Sequence, residues 1–288
     1  MQKLIKSGLI AGCLLGGAQV AFGAGMDANS SVVLVPYANF SAANVTTAVG
    51  LTARAAGTIH WAFFDQNGNR RARGTETMIA NQRFGFIWAT EAAAATTPVS
   101  ANTPGFLVFA LDTNGDNAIT GADGNNLTAG AFSLNIPDND VAYIPTVDVT
   151  AISDPNPNNW TSNPVTTLGG GAVASGADVG MPYLIAGTPN DGEDTKFYIF
   201  TTASPGPSQS MTVHDGSGAS KAITVQTLNI NLNIIDPETV TDITSSFFGD
   251  GSVRWVVPAP GGVNIGAFAF SVIESNAFGA AQTLMGDF

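Results

Sequence analysis

A single cysteine, two histidines and ten basic side chains are all that 288 residues contain of those types, and each shortage closes off a chemistry. Cys13 lies within an apolar N-terminal stretch, so losing that stretch leaves no disulfide, no thiolate metal site and no cysteine nucleophile. His60 and His214 fall in strand-like runs, and neither is in metal-ligand spacing. No G-x-S-x-G elbow accompanies them, although a Ser-His-Asp triad assembled across the fold stays open. Glutamate is confined to Glu76, Glu91, Glu193, Glu238 and Glu274, so a glycosidase pair would have to draw on loop aspartates. Charged residues make up only 11% of the chain, and the formal net charge is −12. Such a surface repels nucleic acid and anionic membranes and attracts divalent cations. Helix-period signals are scarce as well.

Lys3 and Lys6 precede an uncharged apolar run from Gly8 to Phe22, and Ala21-Phe22-Gly23 places small residues where a signal peptidase reads. The pattern predicts a secretory signal over residues 1–23, with cleavage near Gly23 or Ala24, and an extracellular or cell-surface destination. The run is shorter than the roughly 20 residues that span a bilayer, so no transmembrane segment is expected in the mature chain. Ile10-Ala11-Gly12-Cys13 resembles a bacterial lipoprotein box, but the apolar run continues well past Cys13, which reads as an ordinary residue of the signal. Losing Lys3 and Lys6 takes the net charge from −12 to −14.

What remains is rich in strand signals. Ile59, Trp61 and Phe63 share one face of a run, and Phe84, Phe86 and Trp88 alternate likewise. Leu228 to Ile234 alternates apolar and Asn residues strictly, which predicts one core face and one Asn row. A weak internal repeat accompanies these runs. Val35-Pro36-Tyr37, Ile59 to Asp65, Phe84 to Trp88 and Gly105 to Phe109 return as Met181-Pro182-Tyr183, Met211 to Asp215, Leu228 to Ile234 and Gly251 to Val257. Duplication and a chance likeness between two β-sandwiches both fit that pattern. The predicted fold is all-β: two tandem antiparallel β-sandwich domains, immunoglobulin-like or jelly-roll-like, over residues 24–153 and 181–288. Residues 154–180, with Pro155, Pro157, Pro164 and three consecutive glycines, read as a connector.

One motif carries chemistry. Asp112, Asn114, Asp116, Thr120 and Asp123 place side-chain oxygens at the first, third, fifth, ninth and twelfth positions of a loop, with the Ala118 carbonyl at the seventh. Ile119 stands eighth. The segment resembles the calcium loop of EF-hand and, more narrowly, dockerin-type proteins, over these residues alone. The resemblance implies bound Ca2+, a hard cation that takes six to eight oxygens. Asn117 replaces the sixth-position glycine, no helix signal follows, and no cohesin partner is inferred.

Arg70, Arg71 and Arg73 form a basic hairpin tip, which reads as a solvated turn or as a docking patch for an acidic neighbour or a polyanionic glycan. Trp61, Trp88 and Trp255 fit core positions; Trp160, in the connector, is the candidate for ligand contact. Together these features point to a secreted, non-catalytic structural protein, a surface-layer, matrix or filament subunit stabilised by calcium. Its partner would be itself or the cell surface. A secreted adhesin or carbohydrate-binding module is the second expectation, and a secreted hydrolase the third.

Overall fold

A computed structural model describes residues 30–42, 45–136, 140–185, 193–275 and 280–285. The predicted signal segment lies outside the described residues. The chain is all-β. Its strands are β1 (Val32–Ala38), β2 (Val45–Ala53), β3 (Gly57–Asp65), β4 (Arg70–Met78), β5 (Gln82–Ile87), β6 (Gly105–Asp112), β7 (Leu127–Asn135), β8 (Asp140–Ile144), β9 (Val147–Ile152) and β10 (Val165–Leu168). There follow β11 (Val173–Ala174), β12 (Asp178–Ile185), β13 (Glu193–Thr201), β14 (Ser208–Asp215), β15 (Ser220–Gln226), β16 (Leu232–Ile235), β17 (Gly249–Val256), β18 (Gly266–Ser275) and β19 (Ala280–Met285).

They form four antiparallel sheets. Sheet I runs β5-β2-β7-β8 and sheet II runs β10-β9-β1-β6-β3-β4. Sheet III runs β16-β13-β18, with β11 and β19 both paired to β18, and sheet IV runs β12-β17-β14-β15. Sheets I and II close on Val49, Leu51, Trp61, Phe86, Trp88 and Phe109, with the Trp61 and Phe86 rings 5.3 Å apart. Sheets III and IV close on Met181, Phe197, Ile199, Val213 and Trp255.

Between sheets II and III lies a third apolar layer. Tyr37 meets Tyr198 at 4.6 Å, and Phe106 meets Phe200 at 5.0 Å. Leu232, Phe268, Phe270 and Val272 belong to the same buried cluster as the first half. The sheets therefore pack face to face in the order I, II, III, IV, while β8 at the edge of sheet I also meets β19 at the edge of sheet III through the Thr283 hydroxyl and the Tyr143 carbonyl. Sheet II is covered on both faces, which is why all eight residues of β6 are buried and why its sequence is a continuous apolar run.

The order β1-β6-β3-β4 in sheet II returns as β12-β17-β14-β15 in sheet IV, and β5-β2-β7-β8 in sheet I returns as β16-β13-β18-β19 in sheet III. Detail follows topology. Asp65 opposes Gly105 as Asp215 opposes Gly251. Both glycines lie where a Cβ would strike the backbone, at 2.0 Å from the Phe64 carbonyl oxygen and 2.3 Å from that of His214. The Thr47 hydroxyl accepts from the Asn39 N–H and donates to its carbonyl, and the Thr195 hydroxyl treats Leu184 in the same way. The likeness is a repeated topology, and it pairs Pro36 with Pro182, Asp65 with Asp215 and Gly105 with Gly251, as the repeat in the sequence does. The match of Phe84–Trp88 to Leu228–Ile234, in contrast, is displaced to β5 against β16.

Three local expectations need correction. Of the Leu228–Ile234 alternation only the last three residues, from Leu232, are strand, as the start of β16. Leu228 is 78% exposed, whereas Asn231 and Asn233 are buried. Leu232 is buried as well, because sheet III is covered on both faces, and the amides satisfy backbone: Asn231 Nδ2 donates to the Thr201 carbonyl at 2.8 Å. Trp88 opens a short helix, α1 (Trp88–Ala94), favoured by the alanines that follow it. Residues 154–180 are no free linker, since β10 joins sheet II and β11 joins sheet III.

Candidate metal centre

Strand β6 ends at Asp112 because three inward-directed N–H groups gather on that carboxylate. Oδ1 accepts from Asn114 N–H at 3.2 Å and Gly115 N–H at 2.7 Å, and Oδ2 accepts from Asn117 N–H at 2.9 Å. Asn117 is left-handed (φ 59), the conformation that the sixth position of such a loop requires and that Asn tolerates. At the far end, Thr120 caps a single 3-10 turn over Gly121–Asp123. Asp123 Oδ2 accepts from Thr120 N–H at 2.8 Å, and its Oδ1 accepts from Thr113 N–H at 2.9 Å. Asp112 and Asp123 are 2% and 1% exposed, so the two ends of the loop are tied together inside the protein.

The middle of the loop faces water. Asn114, Asp116 and Thr120 are exposed, with Asp116 Oδ1 accepting from Ala118 N–H at 2.8 Å. Ile119 points inward at 5% exposure, and its N–H donates to the Pro155 carbonyl at 2.7 Å. The donor set is all oxygen, which suits a hard cation. Among the described residues, no three Asp, Glu, His or Cys side chains converge closely enough to cage a metal unaided. A bound ion would therefore draw on the Asn114 amide, the Thr120 hydroxyl and the Ala118 carbonyl beside the carboxylates. The equivalent place in the second half holds a 3-10 turn at Pro260–Gly262 with no such donors.

One neighbour escaped the sequence reading. His60, buried on β3, brings Nε2 to 3.9 Å from Asp112 Oδ2, and that nitrogen has no hydrogen-bond partner among the described residues. Burial holds its pKa below the ordinary histidine value; Asp112 opposes the shift and Arg73 adds to it. The register of β3 on β6, which sets Thr58 opposite Asp112, creates this contact, and no local sequence signal announces it.

The other candidates are used internally. Arg70 and Arg73 each donate to the Asn158 carbonyl, at 3.3 and 2.8 Å, and Arg71 pairs with Asp65 at 2.6 Å. The basic tip thus holds residues 154–163 against sheet II rather than standing free. Trp160 is 2% exposed, its indole N–H donating to the Asp154 carbonyl at 2.8 Å, so it packs in the core and presents no face to a ligand. His214 lies on β14, far along the chain fold in sheet IV. A shallow groove of about 630 Å³ beside the loop is lined by Ser30, Thr120, Gly121, Asp148, Thr150 and Gly169. Burial pushes the Asp148 carboxyl up to about 6.

No helix among the described residues is long and apolar enough to cross a membrane. No family model matches the chain, and no curated protein matches it. Among solved structures, a Bacillus subtilis oxalate decarboxylase mutant aligns over 89% of this chain and 68% of its own at 8% identity, with a TM-score of 0.22. The Momordica charantia 7S globulin aligns over 84% of this chain and 70% of its own at 6% identity, with a TM-score of 0.23. Likenesses at this level carry no argument about fold or activity.

Proposed function

We propose that the protein is a secreted, non-catalytic structural subunit of an extracellular layer, matrix or filament, fastened by one calcium ion in the Asp112–Asp123 loop. The observation that carries this reading is the four-layer stack. Its apolar layers fill the space between each pair of neighbouring sheets, and they absorb the side chains a binding or catalytic protein would display. All four tryptophans and His60 are buried. An exported chain that keeps no cysteine after its signal needs a large core or a metal as fastener, and this one offers both. Three carboxylates in one loop repel one another until a cation neutralises them, so calcium outside the cell adds to folding free energy.

Negative-stain electron microscopy of the chain from Ala24 onward, in millimolar calcium, tests the reading. Sheets, tubes or filaments that dissolve on chelation support it. Dispersed particles under every condition overturn it.

A further inference from the structure

Duplication makes a missing strand visible. In sheet II the outer edge of β1 is covered by β9, with Val32, Val33 and Leu34 opposite Val149, Asp148 and Val147. The equivalent of β1 is β12, and the alignment is fixed twice over. Pro36 matches Pro182 in the strand sequences, and Val32 opposes Ala110 as Asp178 opposes Val256. Asp178, Val179 and Gly180 thus stand where β9 seats its partner. Yet β12 is the last strand of sheet IV, and among the described residues nothing pairs with its outer edge.

That edge is short and well bounded. Leu184 directs its N–H and C=O away from β17, where the Thr195 hydroxyl takes both, at 3.0 and 2.6 Å. By the period of two, Gly180 and Asp178 direct theirs the same way, and Pro182 offers a carbonyl alone. The open stretch is therefore Asp178–Pro182, the length that a three-residue strand such as the paired part of β9 occupies.

We propose that this edge receives residues 24–29 of a second copy of the chain as an added strand, a deepening that rests on the structural-subunit reading above. The segment Ala24-Gly25-Met26-Asp27-Ala28-Asn29 alternates small or apolar residues with Gly, Asp and Asn. Its Met26-Asp27-Ala28 repeats the apolar–Asp–apolar order of Val147-Asp148-Val149. It cannot come from the same copy. Ser30 is fixed in the first half, bonded to Leu127 and Val149, while β12 lies two layers beyond sheet II. Sheets stack about 10 Å apart, so the gap is about 20 Å. Six extended residues reach about 20 Å and would leave none to pair. A strand given in one direction and received in the other is a head-to-tail contact, which continues into a filament unless it closes into a ring.

The test compares the chain beginning at Ala24, the chain beginning at Ser30, and Gly180→Pro in the longer chain, by electron microscopy and sedimentation in millimolar calcium. A fluorescein-labelled peptide of residues 24–31 is titrated into the Ser30 chain in parallel. Filaments from the first chain only, with peptide bound by the Ser30 chain and bound at least ten-fold more weakly when Gly180→Pro is added, support the proposal. Filaments from all three chains overturn the strand exchange while leaving the structural reading intact. Dispersed particles from all three, with no peptide binding, overturn both. Thermal midpoints within about 2 °C of one another establish that the variants are folded.

Discussion

Gln66 and Leu232 are hydrogen-bonded in both directions across the junction of the two halves: the Gln66 carbonyl accepts from Leu232 N–H at 3.0 Å, and Gln66 Nε2 donates to the Leu232 carbonyl at 3.2 Å. The β3–β4 hairpin tip is therefore a clasp. Asn231 N–H reaches the same Gln66 carbonyl, and the Asn67 side chain accepts from Ile230 N–H.

Gly68, in this tip, is left-handed (φ 77), and a Cβ there would lie 2.2 Å from Asn231 Oδ1. Gly68→Ala should cost about 2 kcal/mol from backbone strain and crowding together. A fall of about 4–8 °C in the thermal midpoint is expected. Calorimetry checks it, and an unchanged midpoint would show that the clasp contributes nothing.

Calcium at about 100 times its dissociation constant should stabilise the chain by about 2.7 kcal/mol. Chelation should then lower the melting midpoint by about 5–10 °C. Asp116→Ala is the informative variant. Asp116 is exposed, whereas Asp112 also ties down three loop N–H groups and its loss would disturb the fold with or without metal. The Asp116 variant should lose the chelator response while melting close to the chelated parent. A parent indifferent to chelator would remove calcium from the account.

Asp148 has its folded-state pKa raised to about 6 by burial. A raised carboxyl stabilises the fold while protonated, below the unfolded value of about 3.9, and that stability is lost as pH climbs through about 6. Asp148→Asn should therefore leave the midpoint unchanged at pH 3. At pH 8 it should raise the midpoint by about 2–4 °C, corresponding to about 1 kcal/mol after allowance for solvent screening at a half-buried site. An equal gain at both pH values would assign the effect to something other than ionisation.

Trp160→Phe keeps most of the buried ring and loses the bond to Asp154, a cost of about 1 kcal/mol. Trp160→Ala should cost about 3–5 kcal/mol. Chemical denaturation measures both. A phenylalanine variant of full stability that failed to bind a polysaccharide retained by the parent would restore Trp160 as a ligand contact.

Strand positions and the internal repeat were legible in the sequence because inward residues alternate, and because Pro36-Tyr37 and Pro182-Tyr183 mark equivalent strands. The stacking of the halves was not. Phe106, Phe200 and Phe268 look like any core residues, and nothing local tells an aromatic facing its own sandwich from one facing the next. The loop was legible from five oxygen donors in register. His60 was not, because its place beside Asp112 depends on the pairing of β3 with β6. The arginine tip and Trp160 misled for one reason: segments that read as exposed turn and connector are pressed together, so their polar groups bond each other.

The contact between the halves joins unlike faces, sheet II of one to sheet III of the other, and only the outermost surfaces keep it from repeating. On sheet IV those are Ser210, Thr212, Ser252, Arg254 and Thr224; on sheet I a transverse row, Gly85, Gly50 and Gly130, offers no side chain at all. These outer faces are polar or bare, and Arg254 also pairs with Asp178 across the strands. An aromatic residue at Thr212 or Thr224 would rebuild the kind of face that sheet II buries, and it should drive otherwise well-folded molecules to associate.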